Sequence, residues 1–224
     1  MDLAQKEITE RYCFGPGLFA DEWPPPWSKE EKIKIFQIRI QKWNLDFARE
    51  FALRDHAGFA ALSIILSYFE MDRLYELGIT EDIEKDGPLP ENPGDTFKAG
   101  IDSIARSMKW RCSPRTEFDN FKEIMFEAVR CGIYHSGMVR RKVVITGDIE
   151  EVYNFRNGLL RVHPRLLIES ACAHFERYIN KLLKDCTDDP GSMRLHNFEQ
   201  RFDAEVTTKV ETWIRRTKGN INKS

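Results

Sequence analysis

Arg130 and His135 are the residues of this sequence whose types and spacing best suit a chemical reaction. They lie five positions apart in the stretch VRCGIYHSGM, residues 129–138. An arginine is always charged, and its forked set of N–H donors fits a phosphate group. A histidine exchanges protons near neutral pH and can act as a general base or a general acid. Together they suit cleavage of an RNA phosphodiester, in which the 2′-hydroxyl is the nucleophile and no metal-activated water is needed.

The spacing raises a geometric problem. On a regular α-helix five residues advance about 500°, so the two side chains would point roughly 140° apart. They converge only if the helix is interrupted, for which Gly132 is the candidate, or if a second copy of the chain supplies the missing partner. A two-fold axis would also bring a neutral and a protonated imidazole together, which one histidine cannot provide alone. An arginine and a histidine at this spacing occur by chance in many proteins. On spacing alone, the commoner explanation is therefore an arginine in a surface ion pair and a histidine packed on a helix.

Apolar residues at three- and four-residue steps predict the helices that position this stretch. Six helices are expected: 28–51, opened by a capping box of Ser28 and Glu31; about 55–77, ended by Gly78; about 96–110, capped by Asp95; about 117–137, ended by Gly137; 164–183, begun by Pro164; and about 198–216. The expected inward faces of the first two helices are Ile33, Phe36, Ile40, Trp43, Phe47 and Phe51, then Phe59, Leu62, Ile65, Leu66 and Phe69.

Residues 142–162 differ in character from the rest of the chain. Lys142–Thr146 is β-branched, and Gly158–Val162 is expected to pair with it as a small two-stranded β-hairpin. The predicted fold is therefore mainly α. It has an N-terminal arm at 1–27, a single helical domain over 28–218 with an acidic loop at 78–95 and the β-hairpin insertion at 142–162, and a disordered tail at 219–224.

The formal net charge of −2 hides a local asymmetry. Residues 70–95 hold nine acids against two bases, whereas residues 130–165 hold seven bases against three acids. The basic segment favours a polyanion near His135, and Arg140, Arg141 and Lys142 are the candidate contacts to an RNA backbone. The same three bases are equally suited to the C-terminus of a helix, where the dipole favours cations.

Cysteine usage and hydropathy limit the class of protein. The five cysteines are odd in number and scattered, which indicates neither a disulfide framework nor a zinc site. A reducing cytoplasm is the expected location. The sequence holds no uncharged apolar run of about eighteen residues and its N-terminus lacks an apolar core segment, so we expect neither a membrane span nor a secretory signal. No cofactor and no metal site are expected.

Several segments taken together resemble the HEPN superfamily of helical ribonucleases. They are Tyr68-Phe69-Glu70 at the end of an apolar run, the phrase RCGIYH at 130–135, and FERYINKL at 175–182. The resemblance covers roughly residues 30–185. It implies an HEPN-like helical bundle and a metal-independent endoribonuclease that acts as a homodimer on RNA. A toxin or antiviral defence effector, with an antitoxin or defence-system protein as partner, is the implied cellular role.

The resemblance also assigns roles to residues. Arg130 would be the phosphate-binding cation and His135 the proton-transfer residue, with Glu70 as the acidic residue near the arginine. Tyr134 and Cys131 would support the site. Many members have a polar residue where this chain has Cys131, and some members are inactive. The alternative is therefore an inactive HEPN-like module that binds RNA, a nucleotide or a protein.

Two further alternatives remain open from the residues themselves. A nucleophilic thiol at Cys131 would need a partner histidine, and His135 is the candidate. The segment Trp23–Trp27 is either an arm that packs on the body of the molecule or a proline-rich ligand for another protein. His163 and His174 are interpreted as packed or exposed histidines.

Overall fold

Helices build most of the molecule. The computed structural model describes residues 11–80, 83, 92–111, 114–139 and 142–221, with side chains up to residue 217. The α-helices of this part are α1 (Lys29–Ile40), α2 (Asp46–Ala52), α3 (Gly58–Leu77), α4 (Pro93–Met108), α5 (Arg115–Ile124), α6 (Cys131–Ser136), α7 (Pro164–Asp188), α8 (Met193–Phe202) and α9 (Thr208–Ile221). π-Helical turns at Gln41–Leu45, Met125–Arg130 and Asp203–Thr207 join α1 to α2, α5 to α6 and α8 to α9.

The first helix begins as predicted and then changes its inward face. Ser28 Oγ accepts from the Glu31 N–H while the Glu31 carboxylate accepts from the Ser28 N–H, which completes the capping box. The prediction that Trp43 and Phe47 point inward is wrong, since they are 43% and 49% exposed. The π-helical turn inserts an extra residue, so the buried position after Ile40 is Leu45 rather than Trp43.

Helix α3 is the central helix and lies against α4. It ends, as predicted, at Gly78, which adopts a left-handed conformation with φ 67°. It begins at Gly58 rather than Asp55, and Phe59 is exposed instead of inward. Gly100 of α4 is required by this packing, because a Cβ at that position would lie 1.9 Å from the carbonyl oxygen of Phe69.

The acidic loop predicted at 78–95 falls largely on residues 81–82 and 84–91, which lie outside the described part. The prediction that Asp95 ends this loop by capping α4 is wrong. Asn92 caps α4 by accepting from the Gly94 N–H, and Pro93 occupies the first helical position. Ser113 lies outside the described residues, and Pro114 precedes α5 directly.

The predicted pairing of residues 142–146 with residues 158–162 is confirmed, but the prediction of a two-stranded hairpin is wrong, because the two segments run parallel and a third strand joins the sheet. The strands are β3 (Val143–Ile145), β4 (Tyr153–Arg156) and β5 (Leu159–Val162), and the described sheet has the order β3-β5-β4. β5 pairs with β3 in parallel and with β4 antiparallel. The hairpin therefore joins β4 to β5 through Asn157 and Gly158, both at positive φ. Residues 146–152 connect β3 to β4, and this connection crosses β5 because β5 lies between those two strands.

The N-terminal segment and the C-terminal helices close the core. Residues 13–19 form a small antiparallel pair, β1 (Cys13–Gly15) with β2 (Leu18–Phe19). Trp27 is buried between Phe14 and Phe202, so residues 11–27 pack on the body of the same chain. Helix α7 begins at Pro164 as predicted but extends to Asp188. Within the described residues, none of the helices has the length and hydropathy needed to span a bilayer.

Candidate functional site

Helices α3 and the α5–α6 segment bring Glu70 and Arg130 together. The Arg130 Nε donates to Glu70 Oε1 at 2.9 Å, and the two side chains are 21% and 20% exposed. Arg130 is the last residue of the π-helical turn, and Glu70 directly follows the buried Phe69 on α3. The pair joins a carboxylate and a guanidinium that lie sixty positions apart in the chain.

Two aromatic rings hold the guanidinium group in place. Its Cζ lies 5.0 Å from the ring centroid of Tyr134 and 5.7 Å from that of Phe126. These residues stand four positions after and four positions before Arg130. The contacts are within the range of cation–π interactions. The guanidinium is therefore fixed by one carboxylate and two rings before any ligand binds.

The electrostatic environment stabilises the charged form of this arginine. Partial burial acts to lower the pKa of Arg130, but the hydrogen bond and charge of Glu70 and a hydrogen bond with Cys131 more than offset it, so the pKa is raised. Burial raises the pKa of Tyr134, as does the charge of Glu70, while Arg130 acts in the opposite direction. Tyr134 thus remains a neutral phenol beside the ion pair.

His135 lies in the last turn of α6 and is exposed to solvent. The expected interruption at Gly132 is wrong, because α6 runs from Cys131 through Gly132 to Ser136 and ends at Gly137, as predicted, with φ 67°. A regular helix over these residues turns His135 roughly 140° away from Arg130. One copy of the chain therefore does not bring the two side chains together, and a second copy is the remaining way to do so.

The surface around His135 is apolar as well as polar. Tyr134 is 53% exposed and Met138 is 68% exposed. The thiol of Cys131, the residue after Arg130, is partly buried. Lys142 is exposed just before β3, and its carbonyl oxygen accepts from the Leu160 N–H at 2.9 Å. Arg140 and Arg141 lie outside the described residues.

Chemically, the arrangement provides a fixed cation and an accessible proton carrier. A guanidinium group has five N–H donors, and Glu70 uses only the one on Nε. The donors on the terminal nitrogens are directed away from Nε and suit a phosphate oxygen. Among the described residues, no group of three or more His, Cys, Asp or Glu side chains is arranged to hold a metal ion.

The other histidines have structural partners. His163 caps α7, since its Nδ1 accepts from the Leu166 N–H at 3.3 Å. His174 is buried and contacts Tyr68, Ser103 and Asp72, a cluster that sequence reasoning did not identify. The charge count included Asp72 only as one of the nine acids of residues 70–95. Its position four residues after Tyr68, on an otherwise apolar helix face, is the signal that could have revealed it.

Comparisons of the chain with protein-family models, with curated proteins and with solved structures gave no match. The resemblance to HEPN proteins therefore stays a prediction that depends on the residues quoted above.

Proposed function

We propose that this chain is an endoribonuclease that cleaves RNA at a site composed of two copies of the motif. The observation that carries the proposal is the preorganised Arg130, held by Glu70 at 2.9 Å between two aromatic rings, with an exposed histidine five positions further along the chain. A cation fixed in advance stabilises developing charge on a phosphate without reorganisation during the reaction. His135 supplies the group that exchanges protons near neutral pH.

The proposed reaction is an internal transfer at phosphorus. The neutral His135 imidazole of one copy removes the proton from the 2′-hydroxyl, whose oxygen then bonds to the adjacent phosphorus. The bond from phosphorus to the 5′-oxygen breaks, and the protonated His135 of the other copy donates a proton to that oxygen. The products are a 2′,3′-cyclic phosphate and a free 5′-hydroxyl, and the two imidazoles have exchanged protonation states. Arg130 binds the nonbridging oxygens throughout.

Other residues support these two. Glu70 positions Arg130 and does not contact RNA. Tyr134 covers one face of the guanidinium, and Cys131 raises the pKa of Arg130 further. Lys142, together with Arg140 and Arg141, would contact the RNA backbone and add to affinity without selecting a sequence. A toxin or antiviral role, with an antitoxin or defence-system partner, comes from the HEPN resemblance.

Cleavage of a labelled single-stranded RNA in the presence of excess EDTA tests the proposal. The wild-type chain should cut the RNA and leave cyclic phosphate ends. His135→Ala and Arg130→Ala should each reduce the rate by at least about a hundredfold. His196→Ala is the matched control, because His196 is an exposed histidine on α8 away from the motif. Cleavage that needs a divalent cation, or that survives His135→Ala, would contradict the mechanism.

A specific observation also supports an inactive binding module as a second candidate. The charge of Arg130 is already neutralised by Glu70 within one copy, and Cys131 occupies a position that is polar in many HEPN proteins. Electrophoretic mobility shift with the same RNA distinguishes the two candidates. Purified protein that retards the RNA, and leaves it intact for hours in both EDTA and magnesium, would favour the binding module.

A further inference from the structure

A polar cavity lies among helices α3, α4, α7 and α8. Its volume is about 450 Å³, which is within the size range of small-molecule sites. The lining side chains are Asp72 and Glu76 of α3, Ser103, Arg106 and Ser107 of α4, His174, Arg177, Tyr178 and Lys181 of α7, and Arg194 of α8. The cavity thus combines buried hydrogen-bonding groups with several bases.

The floor of the cavity is a cluster around Asp72 and His174. Asp72 is only 5% exposed, and its Oδ1 lies 3.6 Å from His174 Nδ1. The Tyr68 hydroxyl lies 2.9 Å from the same Nδ1, and Ser103 Oγ lies 3.3 Å from Nε2. Within the described residues, Asp72 Oδ2 and the Tyr178 hydroxyl are buried and have no hydrogen-bond partner. Unpaired buried polar atoms are costly, which makes these two atoms candidates for contacts to a ligand.

Protonation of the cluster follows from its burial. Burial lowers the pKa of His174 to about 4, so the imidazole is neutral at neutral pH. The neutral ring carries one N–H, and its two nitrogens lie within hydrogen-bond distance of the Tyr68 hydroxyl and of Ser103 Oγ. Burial, together with the charge of Glu76, raises the pKa of Asp72 to about 8. At neutral pH this carboxyl group therefore carries a proton that it can donate.

The rim of the cavity is basic. Arg177 donates to the carbonyl oxygen of Ser107, and Arg194 pairs with Asp185 at 2.8 Å. Arg106 and Lys181 are exposed and have no ion-pair or hydrogen-bond partner in the described part of the chain. The acid on the rim, Glu76, pairs with Arg73 at 2.9 Å. Two free cations thus face a cavity whose buried acid is neutral.

We infer that this cavity binds a small anion bearing a phosphate group, with Arg106 and Lys181 contacting the phosphate oxygens and Asp72 and Tyr178 donating hydrogen bonds from the floor. Free inorganic phosphate and a nucleoside monophosphate share this chemistry. The site is separate from the Arg130 site, because Glu70 and Asp72 are two residues apart on α3 and so point roughly 160° apart. The inference goes beyond the proposed RNA cleavage and does not depend on it.

Isothermal titration of the full chain with inorganic phosphate, adenosine 5′-monophosphate and adenosine tests this inference. The two phosphate compounds should bind and adenosine should not. The double substitution Arg106→Gln with Lys181→Gln should weaken binding by about tenfold or more, because it removes two charge-assisted contacts from exposed positions that the fold does not need. Lys184→Gln is the matched control on α7, since Lys184 is exposed and does not line the cavity.

The comparison of ligands identifies the source of the phosphate. Tighter binding of the monophosphate than of inorganic phosphate assigns the site to a nucleotide, and equal binding assigns it to phosphate itself. No binding of either compound overturns the inference. Binding that is unchanged in the double variant also overturns it, because the rim would then have no part in recognition.

The pH dependence gives an independent readout of Asp72. Wild-type affinity should fall from about pH 7 to about pH 9, because Asp72, with a pKa of about 8, becomes an anion that repels the ligand. Adenosine 5′-monophosphate is the ligand for this measurement, because a phosphate monoester has its second ionisation near about pH 6, below this range. Asp72→Asn should bind it at neutral pH and show a nearly flat profile. The pKa of His174 is lowered and those of Tyr68 and Tyr178 are raised, so these three groups titrate outside this range. The charged groups facing the carboxyl are Arg73 and Glu76 of α3, Arg106 of α4, Arg177 and Lys181 of α7, and Arg194 of α8. A flat wild-type profile would contradict the role of Asp72.

Discussion

Replacing Gly100 with alanine should destabilise the protein by a magnitude that the α3–α4 contact determines. The new Cβ would lie 1.9 Å from the carbonyl oxygen of Phe69, and that atom is rigid backbone. An ordinary van der Waals contact begins at about 3.4 Å, so the helices must separate by about 1.5 Å. Overpacking of this kind costs about 3 kcal/mol or more, offset by about 1 kcal/mol of helix propensity gained over glycine. We expect a net loss of about 2–3 kcal/mol.

Urea unfolding followed by far-ultraviolet circular dichroism measures this loss, and the melting temperature should fall by about 5–10 °C. Because Glu70 follows Phe69 on α3, the same displacement should also weaken its contact with Arg130. Gly147→Ala is the matched control, since no atom lies within 4 Å of a Cβ at that position; its effect should stay within about 0.5 kcal/mol. A Gly100→Ala variant as stable as the wild type would refute the described packing of α3 on α4.

Three further predictions concern stability. Ser28→Ala should cost about 1 kcal/mol, measured by thermal unfolding, because it removes the capping box of α1; an unchanged melting temperature would contradict this. Glu70→Gln should cost about 1 kcal/mol in urea unfolding, since it leaves the partly buried Arg130 without a charged partner, and a stabilised variant would count against the ion pair. Wild-type stability should fall by about 2 kcal/mol from about pH 6.5 to about pH 8, because folded Asp72 keeps a proton that the unfolded chain has released. Below this pH range the lowered pKa of His174 makes stability rise with pH instead. Asp72→Asn should abolish the fall in stability above pH 6.5, and an equal fall in that variant would contradict the assignment of the fall to Asp72.

Local signals in the sequence predicted the ends of several helices. Ser28 with Glu31 marked the start of α1, Pro164 the start of α7, and Gly78 and Gly137 the ends of α3 and α6. Each of these residues acts on backbone groups within a few positions of itself. Such signals are readable from sequence because no distant contact is needed to interpret them.

Features that depend on distant contacts were not predicted. The π-helical turn at Gln41–Leu45 changes which side chains after Ile40 are buried, and a search for apolar residues at a period of 3.6 does not detect such a turn. The parallel pairing of β3 with β5 was mistaken for a hairpin, although Asn157-Gly158 is a turn signal placed between β4 and β5. Charge counting included Asp72 only as one of nine acids in residues 70–95 and did not predict that the packing of α7 on α3 buries it.

In the candidate site, too, local features were predicted and distant contacts were not. Composition and spacing singled out Arg130 and His135, and the structure adds the partners that fix Arg130. The ion pair with Glu70 crosses sixty positions of the chain, so spacing alone could not establish it. The helix that continues through Gly132 keeps Arg130 and His135 on different faces of one copy, and this makes the second copy essential to the proposed reaction.

The proposed catalytic site needs His135 from two copies of the chain. This requirement is tested most directly by mixing wild-type protein with His135→Ala protein, allowing subunits to exchange, and measuring RNA cleavage in EDTA at constant total concentration. For an equal mixture the account predicts about one quarter of the wild-type rate, because only wild-type homodimers carry both imidazoles. A rate of about one half would show that each copy acts alone and would contradict the composite site.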